Sequence, residues 1–328
     1  MKTRILITGG TGFIASNIIR YFLRETNYDL VSLDRIDMSS DLGRIAKILD
    51  ENPEYKSRLK VVWHDLKSEI NENISNKIGK VDKILHLAAS SHVNRSIQDP
   101  LSFVMDNVVG TCNILNFARK VDGLQKFLYF STDEVFGSAP NGVSFSENDR
   151  YNCGNPYSAS KAGGEELVVS FNNTYNLPTV ITHTMNVYGP RQHAEKFVPI
   201  CIDKISKGKE LTIHCSKGGD KISSRSYLHV DDVARAVDFV ASKCKVGEKY
   251  NIASGRITSN LELARVVANS MEKELIYKLE YPAEERPGND LSYNVSGEKL
   301  YSLGWKPSIT LEDGIKATAQ WYLGNANI

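Results

Sequence analysis

The sequence predicts an α/β fold in which helices cover both faces of a parallel sheet. In the first half of the 328-residue chain, short apolar runs of strand length alternate with segments that carry apolar residues at helical spacing. The strand-like runs are apolar at nearly every position, as in strands that are buried on both faces. A glycine-rich turn joins the first run to the first helical segment. Together these patterns are typical of a doubly wound α/β domain.

The predicted elements alternate along the first half of the chain. Runs rich in β-branched and aromatic residues predict the strands, and apolar residues three and four apart predict the helices. The predicted strands are Arg4–Thr8, Leu30–Leu33, Leu59–Trp63, Lys83–Leu87, Phe127–Phe130 and Thr179–Thr182. The predicted helices are Phe13–Arg24, Asp99–Lys120 and Pro156–Tyr175. Proline and glycine residues break the second half into shorter elements, of which Arg225–Ala241 has the pattern of a strand followed by a helix from Val230.

The composition excludes several classes of protein. Lys and Arg number 40 against 39 Asp and Glu, so the net charge of +1 lacks the basic surplus of a nucleic-acid-binding protein. Hydrophobic residues make up 41% of the chain, too many for a disordered one. No apolar run reaches the roughly 18 residues of a membrane span, and the first run is too short for a signal peptide. The five cysteines form no C-x-x-C pair, which predicts free thiols, no metal site and a reducing, cytoplasmic compartment.

The turn after the first strand has the spacing G-x-x-G-x-x-A. Gly9 permits a tight turn, Gly12 lets the backbone approach a pyrophosphate, and Ala15 lets the helix pack closely on the strand. The helix N-terminus would offer free N–H groups to the phosphates. Asp34 ends the second strand, where a carboxylate is expected to bind the ribose hydroxyls of NAD and to repel the 2′-phosphate of NADP. Arg35 follows directly and opposes that preference. An ordinary glycine turn is the alternative interpretation.

Two further strands end in residues that suit the same ligand. Asp65 follows the third strand, where its carboxylate could meet the adenine amino group. Small residues follow the fourth strand and leave room for a cofactor, since ligands of parallel sheets bind at the carboxyl ends of the strands. The predicted NAD-binding residues are Gly9, Gly12, Phe13, Ile14, Asp34, Asp65, Leu66, Leu87, Ala88, Ala89, Tyr157 and Lys161.

These features divide the chain into two regions. Residues 1–182 are predicted to form a Rossmann-like NAD-binding domain, to which residues 226–253 return. Residues 183–225 and 254–328 are predicted to form a smaller, mixed α/β region at the C-terminal side that binds the substrate.

Tyr157 and Lys161 lie four residues apart near the start of a predicted helix, so they share one face. A tyrosine is a poor base at neutral pH, but a neighbouring ammonium and a nicotinamide cation would lower its pKa. Tyr157 would then remove a hydroxyl proton while hydride leaves the same carbon. A surface Tyr/Lys pair is the alternative, which the dinucleotide loop upstream in the same domain disfavours.

Three motifs together resemble the extended short-chain dehydrogenase/reductase family, over nearly the whole chain. They are Gly9–Ala15, Ser131-Thr132 and the Tyr157/Lys161 pair. The stretch Thr132-Asp133-Glu134 resembles the nucleotide-sugar 4,6-dehydratases of that family, whereas its usual epimerases carry no acids beside the Ser or Thr.

The chemistry of a 4,6-dehydratase explains a pair of acids. Oxidation at C4 of the sugar acidifies the C5 proton, so one group must remove that proton and another must protonate the departing C6 hydroxyl. Two adjacent carboxyls in an apolar site should have separated pKa values, which suits one base and one acid. The resemblance implies that Glu134 is the C5 base and Asp133 the C6 acid. It also implies that Tyr157 is the C4 base and that Thr132 hydrogen-bonds the sugar O4. A solvated Asp-Glu turn is the alternative.

The resemblance continues through the second half and implies a set of substrate-binding residues. Arginine suits the diphosphate because its planar fork forms two parallel hydrogen bonds to phosphate oxygens. The implied residues are His92, Thr132, Asn186, Glu195, Lys196, Arg225, Asn251 and Arg286. For His92 and Asn251 a non-catalytic role is an equal alternative. Many family members have Arg at His183, His at Asn289 and basic residues at Leu291-Ser292, and these departures bear on diphosphate and base recognition.

The long helices suggest a partner subunit. Asp99–Lys120 is apolar nearly all round, as in a helix that is buried on more than one side. The helix that carries Tyr157 is also apolar toward its end. The family commonly dimerises through such a helix pair, so the resemblance implies a homodimer built on a four-helix bundle.

The reaction implied by the resemblance converts UDP-glucose or dTDP-glucose to the 4-keto-6-deoxyglucose nucleotide plus water, with NAD recycled, in rhamnose-type deoxysugar synthesis. A slight preference for UDP-glucose rests on the resemblance at Phe13-Ile14-Ala15-Ser16. A 4-epimerase or decarboxylase of the same family is one alternative, but it would not need the Asp133-Glu134 pair. A cofactor-binding regulator with a dead site is another, but it would tend to lose Tyr157 or Lys161.

Overall fold

A parallel sheet of seven described strands lies at the centre of the fold. The structure is a computed structural model that describes residues 2–37, 40–139, 143–216, 222–281 and 293–325. The strands are β1 (Arg4–Thr8), β2 (Asp29–Asp34), β3 (Leu59–Trp63), β4 (Lys83–His86), β5 (Lys126–Thr132), β6 (Thr179–Thr184), β7 (Asn186–Tyr188), β8 (Leu211–His214), β9 (Ser224–His229), β10 (Lys249–Ile252), β11 (Ile257–Ser259) and β12 (Tyr277–Glu280). The large sheet has the order β10-β6-β5-β4-β1-β2-β3. Since the order reverses between β1 and β4, the carboxyl ends of these two strands frame the crevice where ligands of such sheets bind.

Helices cover both faces of this sheet. The helices are α1 (Phe13–Glu25), α2 (Leu42–Glu51), α3 (Glu72–Ile78), α4 (Val93–Gln98), α5 (Pro100–Val104), α6 (Gly110–Ala118), α7 (Pro156–Tyr175), α8 (Phe197–Ser206), α9 (Val230–Lys243), α10 (Asn260–Ser270), α11 (Glu298–Ser302) and α12 (Leu311–Gly324). In β1, Ile5 and Ile7 pack with α1 and α9, while Leu6 packs on the opposite face with α6 and α7. The near-continuous apolar strands therefore have the expected cause, burial on both sides.

A second region lies beyond the carboxyl ends of the large sheet. Its strands form a three-stranded sheet of order β11-β9-β7 and a two-stranded sheet of β12 and β8. Its core is formed by α8, α10 and α12, with Ile202, Val267 and Ile315 fully buried or nearly so.

Most predicted elements lie within a few residues of the observed ones, and the predicted fold class is confirmed. The prediction for 226–253 is wrong in one part. Strand β9 does not join the large sheet, because it pairs with β7 and β11. Helix α9 packs against the large sheet's core, and β10 pairs with β6 as the last strand of that sheet. The predicted helix Asp99–Lys120 is also not uniform, since a π-helical turn, Met105–Val109, separates α5 from α6.

The described parts of the chain contain no membrane-spanning helix, disulfide or metal cluster. No helix there is long and apolar enough to cross a membrane. All five cysteines are free thiols. No group of three or more His, Cys, Asp or Glu side chains in those parts is arranged to hold a metal ion.

Candidate active site

The glycine turn lies directly against the end of β4. Gly9 has a φ of 74°, and a Cβ at this position would lie 2.9 Å from the Cα of Ala88. Both the left-handed backbone and the close approach therefore require glycine. The Gly12 N–H donates to the Gly9 carbonyl at 2.9 Å, and Gly12 caps α1. The first turn of α1 consequently opens into the crevice between β1 and β4, as a pyrophosphate site requires.

Asp34 lies at the end of β2 and is nearly buried. Its Oδ2 accepts hydrogen bonds from the backbone N–H of Thr11 at 2.5 Å and from the Thr11 hydroxyl at 2.6 Å. Its Oδ1 accepts from the N–H of Arg35 at 2.9 Å. Burial raises the pKa of Asp34, and the two bonds from Thr11 oppose that rise. These three bonds use both lone pairs of Oδ2 and one of Oδ1, so the second lone pair of Oδ1 is left to accept from a ribose hydroxyl.

A buried threonine–histidine chain fixes the segment after β4. Thr8 Oγ1 lies 2.8 Å from His86 Nδ1 and accepts from the N–H groups of Leu87 and Ala88 at 3.1 Å each. His86 Nε2 lies 3.0 Å from Thr111 Oγ1. Burial lowers the pKa of His86 to about 3, so the ring is neutral at physiological pH. These hydrogen bonds fix the backbone that lines the predicted cofactor site, and they place no charge there.

The acid pair begins a short 3₁₀ turn directly after β5. Thr132 Oγ1 accepts from the N–H of Glu134 at 3.3 Å and donates to Asp133 Oδ1 at 3.2 Å. Asn155 Nδ2, at the start of α7, donates to Glu134 Oε2 at 3.5 Å. The threonine thus caps the turn and holds both acids beside the N-terminus of α7.

Asp133 is 3% exposed, and its Oδ2 has no hydrogen-bond partner among the described residues. Burial, together with the negative charge of Glu134, raises the pKa of Asp133 to about 7, and the positive charge of Arg225 opposes the rise. A carboxyl group with that pKa is protonated in a large fraction of molecules at neutral pH. Asp133 can therefore donate a proton, whereas an exposed aspartate could not.

Tyr157 and Lys161 lie on the first turns of α7, which starts with an Asn155–Ser158 capping box. Both side chains are buried. Lys161 Nζ donates to the Phe130 carbonyl at 2.8 Å and lies 4.1 Å from the centre of the Tyr129 ring. Burial lowers the pKa of Lys161 to about 7.

The expected lowering of the Tyr157 pKa is not found. Burial and then the charge of Glu134 raise that pKa well above its usual value, and a hydrogen bond with Thr132 opposes the rise. Lys161 is not among the groups that shift it, and the Lys161 ammonium donates to the Phe130 carbonyl. In this geometry the phenol stays protonated at neutral pH, and it becomes a base only when further positive charge is supplied nearby.

A buried network that the sequence did not single out lies behind this site. Glu165, one helical turn after Lys161, is fully buried and accepts hydrogen bonds from the hydroxyls of Ser131 and Tyr151. His183 Nε2 lies 3.1 Å from Glu165 Oε2, and these bonds lower the pKa of Glu165 despite its burial. The i,i+4 spacing of Lys161 and Glu165 was the one available signal, and it resembles any helical ion pair.

On the substrate side, four implied residues line the same cleft: His92, Asn186, Glu195 and Lys196. His92 Nε2 lies 3.4 Å from Glu195 Oε1, and Arg95 lies 3.7 Å from the other carboxylate oxygen. Burial and the charge of Lys196 lower the pKa of His92, while Glu195 raises it. Burial also lowers the pKa of Lys196.

Two further implied residues, Asn251 and Arg225, do not line the cleft. Asn251 is fully buried, and its side-chain amide contacts His183 at 2.9 Å and the carbonyls of Phe145 and Ser296. These contacts give Asn251 a structural role in place of the implied contact with the substrate. Arg225 lies on β9 with its guanidinium 4.8 Å from the centre of the Tyr293 ring, and its charge acts on Asp133. Arg286 lies outside the described residues.

One cleft of about 740 Å³ brings the other predicted residues together. It contains the glycine turn, Asp34 and Asp65 at one end, and the acid pair with Tyr157 and Lys161 at the other. The predicted cofactor residues that line it are Gly9, Gly12, Phe13, Ile14, Asp34, Asp65, Leu66, Leu87, Ala88, Ala89, Tyr157 and Lys161. The predicted substrate residues that line it are His92, Thr132, Asn186, Glu195 and Lys196. The cradle at Gly9 and the ribose-facing carboxylate fit a dinucleotide.

These features define an NAD-dependent enzyme on a Rossmann-like fold. A family model described as GDP-mannose 4,6 dehydratase matches residues 6–318. The chain therefore belongs to the nucleotide-sugar 4,6-dehydratases of the extended short-chain dehydrogenase/reductase family. The predictions of a hydro-lyase and of NAD as its cofactor are confirmed.

Two relatives have the same percentage of residues identical to this chain. A dTDP-glucose 4,6-dehydratase of Haemophilus influenzae is 36% identical over 342 residues, which cover 98% of each chain. A trifunctional protein of Arabidopsis thaliana, whose name includes UDP-glucose 4,6-dehydratase, is 36% identical over 325 residues. That match covers 98% of this chain and 47% of the relative.

Two solved structures show how widely the fold is shared. The dTDP-glucose 4,6-dehydratase of Streptomyces venezuelae with NAD bound has a TM-score of 0.86 and 32% identity, covering 98% of each chain. A UDP-glucose 4-epimerase of Thermus thermophilus in complex with NAD has a TM-score of 0.88 and 27% identity, covering 98% of this chain and 100% of the other. The fold alone therefore does not separate dehydratase from epimerase, and the residues of the site must do so.

Proposed function

We propose that this enzyme removes water from C5 and C6 of glucose carried on a pyrimidine nucleoside diphosphate, UDP or dTDP. One observation carries the proposal. The cleft holds two adjacent carboxyl groups beside Tyr157, one of them buried with a pKa near 7. Such a pair supplies an acid and a base at the same pH, as the elimination of water requires.

At C4, the task of the protein is to move a proton from the sugar hydroxyl. Thr132 and Tyr157 line the cleft together and share a hydrogen bond, so a hydroxyl that contacts both is held by one constellation. Tyr157 would take the proton of that hydroxyl once the positive charge of an oxidised nicotinamide nearby lowers the pKa of the phenol. Lys161 holds the Phe130 carbonyl and thereby the end of β5. NAD, when bound by the glycine turn and Asp34, supplies a reversible hydride acceptor for the carbon.

At C5 and C6, the two acids divide the work by environment. Glu134 is partly exposed and receives an amide hydrogen bond from Asn155, which favours its ionised form as the base for the C5 proton. Asp133 is buried and is held protonated to a large extent, so it donates its proton to the C6 oxygen as water leaves. The C6 hydroxyl and the proton from Asp133 account for the water lost, while the C5 proton passes to Glu134. The 4-keto-6-deoxy product would balance when the hydride taken from C4 is returned to C6 and Glu134 returns a proton to C5.

A 4-epimerase is the alternative that the fold allows. Epimerisation at C4 needs the tyrosine and the hydride acceptor, but it leaves Asp133 and Glu134 without a chemical task. A buried carboxyl group with one oxygen that has no hydrogen-bond partner among the described residues costs free energy, so the presence of Asp133 beside the catalytic tyrosine favours dehydration.

The nucleotide is open between two candidates. UDP and dTDP differ by one methyl group on the base and one hydroxyl on the sugar, and differences of that size discriminate weakly in an apolar pocket. The equal identity to relatives of both kinds supports neither over the other. The preference for UDP-glucose, the rhamnose-type pathway and the cytoplasmic compartment stay predictions.

Incubation with UDP-glucose and, separately, with dTDP-glucose tests the proposal. Mass spectrometry should detect the loss of one water from at least one of the two sugar nucleotides. Interconversion to the galactose nucleotide without a change in mass would instead establish an epimerase. No conversion of either substrate would refute a pyrimidine-nucleotide dehydratase.

The Glu134→Gln variant tests the assigned base. We expect it to abolish exchange of the C5 hydrogen in deuterated water while C4 oxidation, followed by NADH absorbance, persists. The matched control is Glu166→Gln, which removes an exposed carboxylate from α7. Unchanged C5 exchange in Glu134→Gln would remove the assigned role.

We also propose a homodimer formed through α5, α6 and α7. Leu101 is 69% exposed and Val104 is 42% exposed on α5, which is a large apolar surface for one short helix. Burial against the same helices of a second copy would form the four-helix bundle implied by the resemblance. Light scattering at micromolar concentration should give twice the monomer mass, and Leu101→Glu should reduce it. A monomer mass for the unmodified protein would refute the dimer.

A further inference from the structure

Arg35 favours NADP in a cofactor site whose other residues favour NAD. It follows Asp34, whose carboxylate marks the position of the adenosine ribose, and its own N–H donates to that carboxylate at 2.9 Å. In dinucleotide-binding folds an arginine near this acid can accommodate the 2′-phosphate of NADP. An arginine here therefore competes with the preference for NAD that Asp34 creates.

The guanidinium of Arg35 is held by a second carboxylate from a distant part of the chain. Its Nη1 and Nη2 donate to the two oxygens of Asp106 at 2.6 and 2.7 Å, a bidentate pair. Its Nε donates to Asp37 at 2.9 Å, and Nη1 also lies 3.3 Å from Asp65. The hydrogen bonds to Asp106 are the main cause of the raised pKa of Arg35. All four side chains line the cleft.

Asp106 is fixed in place by the π-helical turn between α5 and α6. The hydroxyl of Ser90 donates to Asp106 Oδ2 at 2.6 Å. The next residue, Asn107, is buried and bonds the backbone of Ser90 in both directions and the hydroxyl of Ser160. The turn therefore anchors Asp106 to the segment after β4 and to α7, so the carboxylate is preorganised to receive Arg35.

We propose that Asp106 is a specificity-determining residue that keeps the enzyme selective for NAD by holding Arg35 away from the position of a 2′-phosphate. Asp106 occupies the edge of the Arg35 fork that forms two parallel hydrogen bonds, so a 2′-phosphate gains that edge only by displacing the carboxylate. The displaced Asp106 would then lie unpaired beside a phosphate of like charge, which is unfavourable in a partly desolvated cleft. Asp34 repels the same phosphate directly, so Asp34 and Asp106 both disfavour NADP.

Competition binding on the full-length protein tests this proposal. Labelled NAD is displaced by NADH or by NADPH, and the ratio of the two half-displacing concentrations measures the discrimination. We expect NADPH to be the far weaker competitor of the original protein. In Asp106→Asn, Arg35 is released from its bidentate partner, and the discrimination should fall at least about tenfold. Asp106→Ser, which also removes the charge, provides a second variant if the first does not fold.

Two further variants separate release of Arg35 from general disturbance of the site. Arg35→Leu combined with Asp106→Asn should restore the discrimination of the original protein, because no free guanidinium remains at that position. Arg44 lines the same part of the cleft but donates to the carbonyls of Thr11 and Arg191, and it is unchanged in both variants. The matched control is Asp50→Asn, which removes an exposed carboxylate from α2 outside the cleft, so its discrimination should be unchanged.

Two results would overturn the proposal. The first is an Asp106→Asn protein whose ratio of NADPH to NADH binding stays within twofold of the original. The second is a double variant that keeps the gain in NADPH binding. The measurement uses only cofactor binding, so its outcome is independent of which sugar nucleotide the enzyme converts.

Discussion

The two ends of the cleft handle charge in opposite ways. At the end formed by β1, β2 and β3, Arg35 is paired with Asp106, Asp37 and Asp65, each within 3.4 Å. At the end formed by β5 and α7, Asp133 is buried and its Oδ2 has no partner in the described parts of the chain, and Lys161 donates to a neutral carbonyl.

The difference follows from what each end must do. Paired charges have stable protonation states and a fixed geometry, which suits the recognition of a cofactor that is bound but not transformed in its adenosine half. Desolvated carboxyl and ammonium groups without an ion-pair partner in the described residues, such as Asp133 and Lys161, have pKa values that move toward neutrality, which suits proton transfer. Changes at the first end should therefore alter binding, and changes at the second should alter the rate of chemistry.

The largest effect is expected for Tyr157→Phe. Loss of the only hydroxyl assigned to deprotonate C4 should lower kcat at least about 100-fold. The affinity for NAD should change little, because the ring and its edge contact with Phe103 are kept. Single-turnover NADH absorbance and cofactor titration measure the two quantities. The matched control is Tyr175→Phe, an exposed tyrosine on the same helix, and a similar loss there would contradict the assignment.

The pH dependence of water loss tests the buried acid. Because Asp133 must be protonated to act, and its pKa lies at about 7, the rate of dehydration should fall about tenfold per pH unit well above that value. Asp133→Asn should abolish dehydration and leave C4 oxidation. A pH-independent rate between pH 6 and pH 9 would contradict the proposed acid.

The same shift has a consequence for stability. The pKa of Asp133 is higher in the folded protein than in the unfolded chain, so the folded state binds more protons between these values. Its contribution to stability is complete below about pH 4 and is lost as the pH rises through 7. The free energy of unfolding should therefore decline over this window less steeply in Asp133→Asn, as urea titrations at several pH values would measure.

A smaller and different effect is expected for Asp34→Asn. The amide oxygen can accept some of the bonds from Thr11 and Arg35, but it loses the charge that strengthens bonds to ribose hydroxyls. The dissociation constant of NAD should rise about tenfold, the value of a charged hydrogen bond of roughly 1.5 kcal/mol. At saturating NAD the value of kcat should be retained, and its loss would show that the two ends are not separable.

Much of the first region was predictable because its signals are local. Each of its patterns depends only on residues that are close together in the sequence, as in the apolar strands, the glycine turn and the Tyr157/Lys161 spacing. The alternation of strands and helices predicts a parallel sheet with helices on both faces. Asp34 and Asp133 lie at strand ends because each comes at or just after a predicted strand in the sequence.

The rest depended on contacts between distant segments. The π-helical turn that directs Asp106 toward Arg35 adds a residue to a helical segment without a distinct pattern in the sequence. Asn251 matches the family pattern of a ligand-binding residue, yet all its side-chain contacts are buried hydrogen bonds within the protein. Strand β9 looks like any other strand, and only its pairing with β7 and β11 places it in the second region.

The position of β10 at the edge of the large sheet bears on how the protein is made. Its neighbour β6 ends at Thr184, but β10 begins only at Lys249, after β7, β8, β9 and α9 have been added. While the chain emerges from the ribosome, the fully buried residues of β6 border an open sheet edge, a surface prone to pairing with other chains. Synthesis that stops between these two points would leave that edge bare. The hazardous products of early termination are therefore those that end between residues 184 and 249.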